Sequence, residues 1–268
     1  MTWLDALILG LVEGLTEFLP ISSTGHLILA RSLLGLHGEA VDRMLIVIQG
    51  AAILAVCFEY RRRLWDTVRD LPREERARRF AVNLAVAFVP LAALGFLFEE
   101  RIESLLFAPV PVAVALVVGG VLILWAERRR HSEKIATVDD MGAGQALAIG
   151  FFQALALVPG TSRSAATILG GLLIGMSRRA ATEFSFFVAI PTLLGATVYK
   201  LWQAGDSLLV DELESLAIAS AAAFVSALLS IRWLLRFVSR HSFEGFAWYR
   251  IAFGALILLT AALGWVAW

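Results

Sequence analysis

Uncharged apolar runs recur along the chain. Met44–Phe58 ends at Glu59, Phe80–Phe98 at Glu99 and Ser104–Ala126 at Glu127. Further on, Phe184–Tyr199 ends at Lys200, Ser215–Ile231 at Arg232, and Ile251–Trp268 is uncharged throughout. A helix crosses a bilayer with about 20 mostly apolar residues. The pattern therefore predicts six spans, over 44–60, 80–98, 109–126, 184–201, 216–234 and 249–267. The charged flanks of the shorter runs are expected to snorkel to the headgroups.

Two other apolar stretches are broken in the middle. Ala6–Ala30 contains Glu13, Glu17, Pro20, Ser22, Ser23, Thr24, Gly25 and His26; Gln145–Gly175 contains Pro159, Gly160, Thr161, Ser162, Arg163 and Ser164. Proline removes a backbone donor and glycine permits a tight bend. Non-helical backbone cannot face lipid, so these breaks must be buried or line a wet cavity. Both stretches read as re-entrant helical hairpins, the alternative being a kinked spanning helix. No basic n-region precedes Glu13 and Glu17, so the first segment is not read as a signal peptide.

The charges orient the spans, because basic residues favour the cytoplasmic side. Arg61–Arg79 holds eight Arg against four acids, and Glu127–Lys134 three Arg and one Lys against two acids. Arg178, Arg179, Arg232, Arg236, Arg240 and Arg250 stand near other span ends. Glu99–Ala108 has three acids and one Arg, and Gln203–Ser215 four acids and no base. With that alternation the first hairpin opens outward and the second inward. The expected fold is an all-α integral membrane protein, with six transmembrane helices and two re-entrant hairpins in an inverted-topology repeat. Residues 1–135 form the first repeat and 136–268 the second. Gly10–Glu13 lines up with Gly150–Gln153, Pro20–Thr24 with Pro159–Arg163, and Ile48–Leu54 with Ala189–Gly195. Such repeats place a site where half-helix ends meet near the bilayer midplane.

Composition agrees with this reading. Apolar residues make up 59% and charged ones 17%, too little polar surface for a soluble particle of this size. One Cys excludes a disulfide framework and a thiolate zinc site. Net charge is zero, and no basic tract points to nucleic acid.

Four ionisable residues stand inside the broken stretches: Glu13, Glu17, His26 and Arg163. Intramembrane charges are functional hypotheses by default. Glu13 and Glu17, four apart, share a helix face and repel unless a proton or cation lies between them. Mg²⁺ or Ca²⁺ would accept their oxygens and bridge to a phosphate; the alternative is an ordinary amphipathic helix. A half-helix starting at the Ser22-Ser23-Thr24 cluster would present free N–H groups to an anion, which is compatible with plain N-capping. His26 can serve as base toward Ser23 or as the nucleophile itself. Arg163 suits a phosphate clamp, flanked by Thr161, Ser162, Ser164 and Thr167; a buried Arg–Glu pair that only fixes the fold is the alternative. Together these groups suit phosphoryl transfer to water on a lipid-tailed substrate.

Glu13-Gly-Leu-Thr-Glu17-Phe-Leu-Pro-Ile-Ser-Ser-Thr-Gly-His26 resembles the glutamate-rich motif of the bacterial undecaprenyl-diphosphate phosphatase family, also called the bacitracin-resistance family. Pro159-Gly-Thr-Ser-Arg-Ser-Ala-Ala-Thr167 resembles its second motif. The resemblance covers essentially the whole chain. It implies a metal-dependent enzyme of the bacterial inner membrane, hydrolysing a C55 polyprenyl diphosphate to the monophosphate plus inorganic phosphate. This recycles the lipid carrier of cell-wall synthesis, at a site opening to the periplasmic side. It also implies a catalytic group of Glu13, Glu17, Ser23, His26 and Arg163, with Thr24, Ser162, Ser164 and Thr167 in support. Ser22 and Thr161 join them as phosphate-binding candidates on their place in the turns, and Glu13 and Glu17 are the metal candidates.

The phosphatidic-acid-phosphatase class shares the substrate but needs His and Asp soon after its Arg; here the next His after Arg163 is His241. A transporter or lipid flippase without hydrolysis is the competing reading, motivated by the inverted halves alone. Small-residue runs at Gly170-Gly171 and Ala219–Ala223 would let helices pack closely, leaving room for a homodimer.

Overall fold

The computed structural model describes residues 1–106, 108–129, 133–204 and 213–264. In chain order the helices are α1 (Trp3–Thr16), α2 (Ser23–Leu33), α3 (Glu39–Glu59), α4 (Arg61–Asp70), α5 (Glu75–Leu106) and α6 (Pro109–Arg128). They continue with α7 (Ala143–Ala154), α8 (Arg163–Leu173), α9 (Arg178–Ala204), α10 (Leu213–Val238) and α11 (Glu244–Leu263). Among the described residues there is no strand, and α3, α5, α6, α9, α10 and α11 are long and apolar enough to cross a membrane. The chain is an all-α, multi-pass membrane protein.

All six expected spans are present. Most begin earlier than the uncharged runs do, because charged residues are good helix formers at the ends of a span. α3 starts at Glu39, α5 at Glu75, α9 at Arg178 and α11 at Glu244. The acidic loops read over 99–108 and 203–215 fall largely on residues whose side chains lie outside the described set, as do residues 265–268 of the last run.

The two interrupted stretches fold as helix–turn–helix pairs, α1–α2 and α7–α8. Their helices have 14, 11, 12 and 11 residues, too short to span alone at 1.5 Å per residue. α1 ends where Pro20 forbids another helical turn, and the cap N–H of Glu17 still bonds the Glu13 carbonyl at 2.9 Å. The second turn closes through a one-turn 3₁₀ segment, Leu155–Leu157, and Gly160 at φ 90°. A side chain at Gly160 would strike the Val112 backbone, so both its φ and its contact require glycine.

The two pairs match locally. Ser22 (φ 73°) precedes α2 and Ser162 (φ 68°) precedes α8, and these are the two left-handed non-glycine residues among those described. Gly35 and Gly175, also left-handed, follow α2 and α8 at the same sequence interval. Ser22 therefore occupies the place of Ser162, and Ser23 that of Arg163. This shifts the expected pairing of Pro20–Thr24 with Pro159–Arg163 by one residue, because the second turn has one more residue between its proline and its cap serine.

α1 packs on α10, α7 on α5, α3 on α9 and α10, and α6 on α11. The small-residue runs are used inside the chain. Gly170 and Gly171 lie against Phe152, Ala181 and Met176, and Ala219 and Ala222 lie against Gly10. On the loop side, Asp139 in the turn before α7 accepts from Arg76 at 2.5 Å and from Arg63, while Arg79 bonds its carbonyl at 2.8 Å. Glu127 takes Arg178 in a two-pronged pair and caps the Phe243 N–H at 2.8 Å, tying α6, α9 and α11 together.

Candidate active site

The two turns meet inside the bundle. Ser164 Oγ donates to the Leu19 carbonyl at 2.8 Å, and Arg163 Nη2 donates to Glu17 Oε1 at 3.2 Å. Glu17 sits just past α1, on the turn; Arg163 is the first residue of α8. Ser23, the first residue of α2, donates from Oγ to the other oxygen of Glu17, Oε2, at 2.5 Å. One carboxylate therefore joins a cation from one hairpin and a hydroxyl from the other half of its own hairpin. Ser185 on α9 supports the cation: Arg163 Nη1 donates to its carbonyl at 2.8 Å and to its hydroxyl at 3.3 Å. Arg163 also stands 5.9 Å from the centre of the Phe18 ring.

A cavity of about 420 Å³ opens beside this group. Its lining is mixed: Glu17, Ser22, Ser23, Thr24, Ser162 and Arg163 contribute polar groups, as do Gln49, Thr192 and Lys200, and Phe88, Leu91, Phe96, Leu157 and Leu193 contribute apolar surface. The starts of α2 and α8 border the same space. First-turn N–H groups lack helical acceptors, and their dipoles favour an anion. Ser22 Oγ and Arg163 Nε are buried without hydrogen-bond partners, two unsatisfied donors on residues that line the cavity.

The expected residues divide into those that face the cavity and those that do not. Ser22, Ser23, Thr24, Ser162, Glu17 and Arg163 face it. Ser164 is spent on Leu19. Thr167 Oγ1 bonds the Arg163 carbonyl at 2.9 Å and the Ser185 hydroxyl at 2.7 Å, bracing Arg163 from behind. Thr161 presents its carbonyl to Arg250 at 2.9 Å. Ser162 Oγ caps the Ala165 N–H at 3.3 Å and lies 3.0 Å from Ser164 Oγ.

His26 makes no hydrogen bond to Ser23. Its Nδ1–H donates to the Ser22 carbonyl at 2.7 Å, which leaves Nε2 as the acceptor for the Tyr249 hydroxyl at 2.6 Å. The ring stacks on Phe253, 4.2 Å between centroids. The carboxylate of Glu17, not the imidazole of His26, accepts the hydrogen bond of the Ser23 hydroxyl.

Glu13 lies one turn before Glu17 on α1, 1% exposed, and its Oε1 has no hydrogen-bond partner. No group of three or more His, Cys, Asp or Glu gathers for a metal among the described residues. An orphaned carboxylate oxygen beside a second carboxylate fits a hard cation whose remaining ligands are water and phosphate oxygens.

Sequence reasoning missed Ser185, Tyr249 and Arg250. Ser185 and Tyr249 carry no motif signal. In the charge pattern Arg250 groups with the basic residues near span ends, whereas it lies inside α11 and is fully buried. One signal was present: it is the only charged residue between Glu244 and Trp268.

A broken-hairpin membrane protein with hydroxyl, carboxylate and guanidinium groups gathered at an amphiphilic cavity belongs to the class that handles phosphorylated lipids. The model of the family described as bacitracin resistance protein BacA matches residues 6–256. The chain is 56% identical to the undecaprenyl-diphosphatase of Nitrosomonas europaea, over 100% of this chain and 99% of that protein. It is 57% identical to the one of Dechloromonas aromatica (99% and 97%) and 54% identical to the one of Pseudomonas putida W619 (100% and 97%). The chain belongs to the BacA bacitracin-resistance family.

Proposed function

We propose that this protein is an undecaprenyl-diphosphatase of a bacterial cytoplasmic membrane. It removes the terminal phosphate of a C55 polyprenyl diphosphate and returns the monophosphate carrier to peptidoglycan synthesis. The carrying observation is the Ser23–Glu17–Arg163 chain of contacts beside a cavity lined by both polar and apolar side chains. A transporter or flippase has no use for a hydroxyl held at 2.5 Å by a carboxylate.

Chemistry follows from the contacts. Ser23 Oγ attacks the terminal phosphorus, its proton passes to Glu17, and the bond to the bridging oxygen breaks, releasing the lipid monophosphate. Glu17 hands that proton to the departing phosphate. Water then attacks the phosphoserine; Glu17 takes its proton and returns it to Ser23 Oγ as inorganic phosphate leaves. Arg163 and the starts of α2 and α8 face the charge on the phosphoryl oxygens. Glu13 and Glu17 would hold a divalent cation, Mg²⁺ or Ca²⁺, which would neutralise diphosphate charge when bound.

The halves 1–135 and 136–268 are read as inverted repeats, with α1–α2 and α7–α8 as re-entrant hairpins. Supporting this are the matched left-handed serines and the reciprocal packing of α1 on α10 and α7 on α5. Basic loops on one side orient the site toward the periplasm. A homodimer would have to use faces other than the small-residue runs.

Phosphate release from a polyprenyl diphosphate by the purified protein tests the function. Wild-type turnover in Arg163→Ala or Glu17→Ala would overturn the site.

A further inference from the structure

Arg250 is fully buried on α11, and every hydrogen-bond acceptor of its guanidinium is a backbone carbonyl. Nη1 donates to Pro20 of the first turn at 3.3 Å. Nη2 donates to Gly160 at 3.1 Å and Thr161 at 2.9 Å, both of the second turn. Nη2 also reaches Ala115, at 3.2 Å, and Nε reaches Leu116, at 3.3 Å, both on α6. A slot in α6 admits the side chain: a Cβ at Gly119 would run into the guanidinium, and one at Gly120 into Ala247 and Ile251 of α11.

Carbonyls in a broken hairpin leave the helical ladder and need donors when buried. One planar guanidinium supplies donors for both turns at once. It sits at the turn backbone, whereas Glu17, Ser23 and Arg163 present their side chains to the cavity. Burying a cation without a carboxylate partner is costly, and a neutral side chain would fill the slot without that cost.

We propose that Arg250 is a positioning residue: by gripping the carbonyls of both turns it sets the spacing of the two hairpins, and so the alignment of Ser23 and Glu17 with Arg163. The proposal rests on the hydrolytic reading above. It touches no reacting atom. Its effect passes through the geometry of attack, where a misplacement of about 1 Å costs on the order of 100-fold in rate.

The experiment compares wild type with Arg250→Lys, Arg250→Met and Gly119→Ala as purified, monodisperse protein in detergent. Steady-state kinetics on a polyprenyl diphosphate and thermal unfolding are both measured. Gly119→Ala displaces the guanidinium without altering any charge. Expected for Arg250→Met and Gly119→Ala is a fall in kcat of on the order of 100-fold, with KM within about threefold. Arg250→Lys recovers part of kcat, since an ammonium has three donors instead of five. Wild-type kcat in folded Arg250→Met and Gly119→Ala would overturn the proposal. So would loss of folded protein in both, which would make the role one of folding alone. Failure of the hydrolytic reading would look different: the wild-type protein itself would release no phosphate.

Discussion

Ser23 and Glu17 stand on opposite sides of a tight turn, yet Ser23 Oγ reaches Glu17 Oε2 at 2.5 Å. Two features produce this. Glu17 is carried just beyond the end of α1 by the break at Pro20, and the left-handed Ser22 swings the start of α2 back toward it. A non-glycine residue with positive φ is strained, and such strain persists where the surroundings over-determine it. Arg163 takes the other oxygen of Glu17, so the carboxylate is oriented from both sides.

Glu17→Gln keeps the shape of the side chain and removes the base. Turnover should fall by roughly 10²- to 10⁴-fold, the range supplied by a positioned general base. Steady-state hydrolysis measures it. A fall of less than tenfold would mean that another group takes the Ser23 proton.

His26 is held by Ser22 and Tyr249 and bonds neither Ser23 nor Glu17. His26→Gln should therefore cost turnover far less than Ser23→Ala, by about tenfold against a thousandfold or more, the smaller figure reflecting a loosened turn. Parallel kinetics on the two variants decide it. Equal losses would place the imidazole in the chemistry.

Glu13 has an unpartnered, buried carboxylate oxygen. If it holds the divalent cation, Glu13→Gln should raise the metal concentration for half-maximal activity by at least about tenfold, since losing even a partner behind a ligand costs about 10- to 100-fold in affinity. Titration of chelated protein with Mg²⁺ or Ca²⁺ reads this out. An unchanged midpoint would free Glu13 from metal binding.

Outside the membrane, burial pushes the Asp139 carboxyl up, but Arg76 and Arg63 outweigh it and hold it below the ordinary value of 3.8. A carboxyl lower in the folded protein stabilises it above the unfolded pKa, and that stabilisation disappears as pH falls through the folded pKa. Acid unfolding of detergent-solubilised protein should thus begin at higher pH in Asp139→Asn than in wild type. Coincident acid midpoints would show that this loop anchor contributes nothing.

Much of this was legible in the residues. The six spans follow from hydropathy, and the broken helices from Pro20 and Pro159-Gly160 set inside apolar stretches. Arg163 stood out because a charge in apolar surroundings demands a partner. Other features depend on three-dimensional contacts that spacing does not encode. Spacing alone put His26 beside Ser23 as readily as Glu17; the backbone carbonyl of Ser22 decides between them by taking the imidazole N–H. Ser164 and Thr167 are phosphate-binding candidates by their place beside Arg163; that their hydroxyls also reach Leu19 and Ser185 could not be read from spacing. Arg250 was hidden among the basic flanks because its partners are carbonyls from distant segments.

The central claim is that Ser23, activated by Glu17, carries the phosphoryl group. Rapid quenching during turnover of a substrate labelled in its terminal phosphate, followed by peptide mapping, tests it most directly. The account predicts label on Ser23, formed and lost at rates compatible with turnover and absent from Ser23→Ala. Label on His26 instead, or full turnover with no labelled protein at any time point, would contradict it.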